Sequence, residues 1–87
     1  MSITIIRLPR VIDRIGRRRS AIYADIQRGV ITRPVAIGRR SVGWPADEID
    51  IIIGARVAGR GEDELRTIVE RLHAARQVGV DAKAGSR

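Results

Sequence analysis

The chain contains no cysteine and no phenylalanine, and only one tryptophan (Trp44), one tyrosine (Tyr23) and one histidine (His73). Without cysteine there are no disulfide staples and no thiolate metal sites, which fits a reducing cytoplasm. His73 has neither a second histidine nor a thiolate to complete a metal site, so no metal or other cofactor is expected and it reads as a polar-face helix residue. Two aromatic rings do not build the stacking platform of a single-strand nucleic-acid binder. No Ser/His/Asp set has workable spacing, and Gly59-Arg60-Gly61 fits no nucleotide-binding loop, so no catalytic residue is assigned and the chain is not expected to be an enzyme. No run reaches the roughly 18 apolar residues of a membrane span, and Met1–Ile6 is too short for the apolar part of a signal peptide and is interrupted by Arg7.

Lysine is nearly absent as well, Lys83 being the sole example, although the net charge is +7. The cationic side chains are therefore arginines, whose planar fork binds phosphate or guanine in a bidentate way. Their distribution is uneven. Up to Gly43, ten arginines face only Asp13 and Asp25, giving +8; from Trp44 onward six arginines and Lys83 face eight carboxylates, giving −1. An arginine-rich genome explains Arg over Lys but not this split, which points to a polyanion-binding half joined to a neutral one.

What is present organises into short elements. Ile3–Leu8 is β-branched and apolar and reads as a strand. Pro9 then suits the first turn of a helix over about 9–15, with Val11, Ile12 and Ile15 at helical spacing and Gly16 as its left-handed stop. After Arg17-Arg18-Arg19-Ser20, a second helix carries Ile22, Tyr23, Ile26 and Val30 as an apolar stripe, with Arg18, Arg19, Ala21, Asp25 and Arg28 on its other faces and Gly29 as its stop. Two short helices joined by a tight Gly-containing turn form a helix-turn-helix pattern. Pro34 breaks the helix, and Val35–Ile37 and Val42–Trp44 read as a β-hairpin with Val35, Ile37, Val42 and Trp44 on one face and Arg39-Arg40 at its tip. A hairpin placed there is a wing. Pro45 opens a third helix, with Asp47 and Glu48 as helix-start charges and Ile49, Ile52, Ile53 and Val57 as its buried stripe. A last helix over 61–77 places Leu65, Ile68, Val69, Leu72 and Ala75 on one face.

The stretches "RLPRVIDRIG", "RSAIY", "PVAIGRRSVGWP" and "DEI..II..R", in this order between Ile6 and Val57, resemble the AlpA-type phage and prophage regulators, relatives of the excisionase and MerR-like winged-helix proteins. The resemblance implies a small DNA-binding protein of a mobile element, acting as a transcription regulator or as an excisionase-like factor that assists an integrase. Two positions depart from the family. Arg18 stands where a capping serine is usual, which removes a helix cap, and Ile52 stands where tryptophan is common.

The fold expected is thus mainly α with a small β-hairpin: a winged helix-turn-helix over 1–60, an amphipathic helix over 61–77 and a flexible tail over 78–87. A recognition helix presents its N-terminal residues to base edges in the major groove, which puts Arg18, Arg19, Ser20 and Ala21 there, flanked by Arg17 and Arg28. Tyr23 is either a phosphate contact or part of the apolar stripe. Arg39 and Arg40 reach the backbone or the minor groove. The partner expected is double-stranded DNA, together with integrase or RNA polymerase. The Leu65/Ile68/Val69/Leu72 stripe either packs on the domain's own core or joins copies into a homodimer or cooperative oligomer. A protein-interaction adaptor or antitoxin-like module is the alternative from another class.

Overall fold

The computed structural model describes residues 4–85, with side chains through Arg76. It is mainly helical: β1 (Ile5–Ile6), α1 (Leu8–Ile15), α2 (Arg19–Gln27), β2 (Val35–Ala36), β3 (Val42–Pro45), α3 (Ala46–Val57) and α4 (Glu62–Gly85). The three strands form one antiparallel sheet in the order β1-β3-β2, so the central strand is β3. β1 pairs Ile5 with Pro45 and Ile6 with Trp44, and a further hydrogen bond from the Ala46 N–H to the Thr4 carbonyl, 2.7 Å, ties the sheet to the start of α3. Ile3, expected to begin the first strand, lies outside the described residues.

Local chemistry accounts for the element ends. Pro9 occupies the first turn of α1, where its missing N–H leaves no helix bond unmade, and Gly16 closes the helix at φ +79 with its N–H on the Ile12 carbonyl. Neither α1 nor α2 has a side-chain cap at its N-terminus; for α2 the N-cap position is Arg18, as the family departure implied. α3 begins directly after Pro45, with Asp47 and Glu48 in its first turn.

One core joins β1, β3 and the four helices. Ile6, Val11, Ile22, Ile31, Trp44, Ile49, Ile52 and Val69 form a continuous buried cluster. Trp44 is enclosed, and its indole Nε1–H donates to the Thr32 carbonyl at 2.9 Å, so the polar end of the ring is satisfied inside the core.

Five expectations need correction. First, the hairpin has two apolar faces, not one. Val35 pairs with Gly43 and Ala36 with Val42, so Val35 and Ile37 share a face with Gly43, opposite to Val42 and Trp44. Ile37 and Val42, one on each face, are both exposed. Second, Val57 is 83% exposed and takes no part in the α3 stripe. Third, Asp25 is fully buried rather than on an outer face. Fourth, Glu48 is buried too and pairs with Arg76 of α4, at 2.5 and 2.8 Å, in addition to sitting in a first turn. Fifth, α4 folds back on its own chain, one of the two placements left open for it, but without burying its whole apolar stripe. Leu65 and Val69 are buried there, Leu72 packs against the core and Ala75 faces outward, so Leu65 and Val69 have no surface left for a second copy. Ile68 is half-buried, beside a shallow cavity lined by Arg60, Glu64, Thr67 and Arg71. α4 also continues to Gly85, so the helix extends through most of the stretch expected as a tail from residue 78; the last two residues of that stretch lie outside the described residues.

Candidate nucleic-acid interface

The arginines divide into two groups by what surrounds them. Arg14 pairs with Asp50, Arg17 and Arg56 with Asp25, Arg28 with Asp25 and Glu62, Arg60 with Glu64, Arg66 with Glu62 and Asp63, and Arg76 with Glu48. Among the described residues, Arg7, Arg10, Arg18, Arg19, Arg33, Arg39, Arg40 and Arg71 are exposed and make no salt bridge. All of these but Arg71 belong to the basic first half of the chain. The second half is close to neutral because α3 and α4 carry most of the chain's carboxylates, which pair with Arg60, Arg66 and Arg76 there.

Two of the unmatched pairs sit at geometrically useful places. Arg18 is the N-cap of α2 in extended conformation (φ −69, ψ 160), and Arg19 is the helix's first residue. The uncapped first-turn N–H groups and the positive end of the helix dipole add to the two guanidinium charges there, so this helix end favours an anion. Arg39 and Arg40 occupy the bend between β2 and β3, closed by a hydrogen bond from the Ile37 N–H to the Ser41 carbonyl at 3.0 Å. Gly43 lets this hairpin lie close to β1: a Cβ there would come within 2.4 Å of Ile5 Cγ2 and 3.0 Å of the Ile6 carbonyl.

The outward face of α2 is built by the burial of its inward one. Ile22 and Asp25 are buried and Ile26 half-buried, which leaves Ser20, Tyr23, Ala24 and Gln27 exposed on the opposite side at helical spacing. Tyr23, 37% exposed, is therefore off the apolar stripe. Ala21 is half-buried and the least available of the residues expected to meet bases. Ala24 and Gln27 were missed by the sequence reading, although their spacing from Ser20 carries the signal. So were Arg7 and Arg10, which lie beside and on α1.

Arg17 and Arg28 have a different setting. Asp25 accepts from Arg28 Nη2 at 2.6 Å, Arg17 Nε at 2.8 Å and Arg56 Nη2 at 3.3 Å. This buried carboxylate gathers three guanidiniums from the turn before α2, the end of α2 and α3. Arg17 and Arg28 keep much of their surface in water and a net positive charge remains on the cluster, but their positions are fixed by Asp25.

The family model described as prophage CP4-57 regulatory protein (AlpA) matches residues 4–57. The chain belongs to the AlpA family of prophage regulatory proteins. The matched span covers the sheet and α1–α3, and therefore both unpaired arginine pairs and the outward face of α2. No curated protein and no solved structure matches this AlpA-family chain. α4 lies outside the family match. Its side chains hold the AlpA unit at several points: Arg66 Nε donates to the Arg28 carbonyl at 3.0 Å, Arg76 Nη2 donates to the Arg33 carbonyl at 2.8 Å, and His73 Nε2 accepts from the Arg33 N–H at 3.1 Å. The histidine pKa is lowered from its ordinary value, first by burial and then by the Arg33 and Arg76 guanidiniums, against an opposite pull from Glu48. No described helix is long and apolar enough to cross a membrane.

Proposed function

We propose that this AlpA-family protein is a non-catalytic, sequence-specific double-stranded DNA-binding regulator of a mobile element, working in the cytoplasm as a winged helix-turn-helix. In this reading α2 enters the major groove, with Arg18 and Arg19 leading and Ser20, Tyr23, Ala24 and Gln27 along the exposed face. The β2–β3 hairpin is the wing and carries Arg39 and Arg40 to the backbone or the minor groove. The observation that supports it best is the sorting of the arginines. Carboxylates pair with seven of the described guanidiniums, while all but one of those left unmatched and exposed lie in the basic first half, including both at the α2 N-terminus and both at the hairpin tip. Guanidinium binds the paired acceptors of guanine at about 1–3 kcal/mol of discrimination, and the glutamine amide suits adenine in the same bidentate way. Four neutralised phosphates alone give a slope of log affinity on log salt of about −3.6.

Selection of random duplex DNA on the purified protein, followed by titration of the winner against salt, tests this reading. A defined motif bound well above random duplex with a steep salt slope is the expected result. Salt-sensitive binding without a motif replaces the regulator by an architectural, excisionase-like factor. Absence of binding at low salt moves the protein to the adaptor class.

A further inference from the structure

The covalent link between α2 and the hairpin is the segment from Arg28 to Pro34, and it is held on two sides. Within it Val30, Ile31 and Thr32 are buried, and Trp44 of β3 donates to the Thr32 carbonyl. On the other side stand Arg66, His73 and Arg76 of α4, at i, i+7 and i+10 of one helix, a rigid span of about 15 Å. Arg66 engages the Arg28 carbonyl, at the C-cap of α2, where a helix leaves its acceptors unmet. Its stem also covers Gly29, where a Cβ would lie 3.6 Å from Arg66 Cγ. His73 and Arg76 engage the N–H and the carbonyl of Arg33, at the far end of the link. Arg76 is in turn fixed by both oxygens of the buried Glu48. Each of these three side chains meets the link at a backbone atom, so what α4 fixes is the link's conformation, whatever its side chains.

Resting on the reading of α2 and the hairpin as the DNA-contacting elements, we propose that α4 is a brace that sets the angle between recognition helix and wing, with Arg66, His73 and Arg76 as positioning residues for specific binding. Specific recognition needs helix and wing in register at once, whereas non-specific attraction to phosphate tolerates misalignment. Order built in before binding is order that need not be imposed by the DNA. His73 adds a pH dependence. Arg33 on the link, Arg76 on α4 and Glu48 on α3 face it, and the accepting Nε2 is lost when the ring takes a second proton.

The test compares the selected duplex with a random duplex for the wild type, the double variant Arg66→Ala/His73→Ala, and His73→Gln, which keeps a hydrogen-bond acceptor. The double variant, with its fold checked by circular dichroism, is expected to lose roughly tenfold in affinity for the selected duplex. Its random-duplex affinity and salt slope should stay unchanged. As the pH falls from 7.5 through the folded-state pKa of His73, which lies below 6.5, the wild type should lose preference for the selected duplex while His73→Gln keeps it. If the double variant does not fold, this pH comparison alone decides. A folded double variant with the wild-type ratio, or a wild type and His73→Gln with the same pH profile, overturns the brace. A wild type that binds neither duplex overturns the DNA-binding reading instead, and the brace falls with it.

Discussion

Replacing Asp25 with asparagine keeps the side chain's volume and removes its charge. The carboxylate is 0% exposed and holds three guanidiniums, so its loss leaves cations that the fold has gathered around a neutral amide. Breaking a fully buried ion pair costs about 3–5 kcal/mol, because the surviving charge is stranded in a low dielectric. Here the survivors are not stranded. The side chains of Arg17, Arg28 and Arg56 are 40%, 51% and 31% exposed and regain water by small rotations. The loss is accordingly discounted to about 2 kcal/mol. For a domain of this size that lowers Tm by about 8–16 °C. Thermal and urea unfolding followed by far-UV circular dichroism checks it, with the urea midpoint falling and the m-value unchanged. A loss within about 0.5 kcal/mol, the range of an ordinary surface change, refutes the argument. It would mean that the desolvation of Asp25 already cancels the attraction of its three partners.

Arg39→Ala with Arg40→Ala should weaken binding to all duplexes and reduce the salt slope by about 0.9 for each phosphate no longer neutralised, read by fluorescence anisotropy at several salt concentrations; an unchanged slope removes the hairpin from the interface. Arg19→Ala should relax preference at one base position more than it weakens random-duplex binding, read by repeating the selection, and a uniform loss reassigns Arg19 to the backbone. Gly43→Ala should destabilise by about 1–3 kcal/mol, because part of the obstruction is the Ile6 carbonyl, which cannot rotate away as a side chain does; a wild-type melting temperature counts against that packing. The lowered histidine pKa makes His73 favour folding fully above its unfolded value of about 6.5, and this contribution is lost as pH falls from there through the lower folded value. Urea titrations across that window should show His73→Gln flatter than wild type, and parallel curves would refute it.

The elements themselves were legible because their signals are local: Pro9 and Gly16 bracket α1, Gly29 and Pro34 separate α2 from the hairpin, and Pro45 with Asp47 and Glu48 marks α3. The hairpin's faces were not. Val35, Ile37, Val42 and Trp44 are all apolar, and which of them share a face depends on a loop register that shifts by one residue without changing the pattern; the pairing of Val35 with Gly43 puts the two strands' apolar residues on opposite sides. Asp25 was misplaced for a related reason. A charged residue reads as outward unless its partners are known, and one of them, Arg56, lies on α3. The arginine excess was visible as composition, but which arginines remain unmatched depends on pairs such as Arg14–Asp50 and Arg28–Glu62 that only the folded chain brings together.

The place of β1 in the sheet has a kinetic consequence. This strand is synthesised before the others, yet its partner β3 lies beyond α1, α2 and the turn of the hairpin. Ile5 and Ile6 are therefore expected to stay unpaired while α1 and α2 form from contacts close in sequence. The β1–β3 ladder closes late, since its two short strands must repay the closure of a long loop. Substitutions in β1 should then act mainly on how fast the finished domain comes apart, and those in the helices on how fast it assembles.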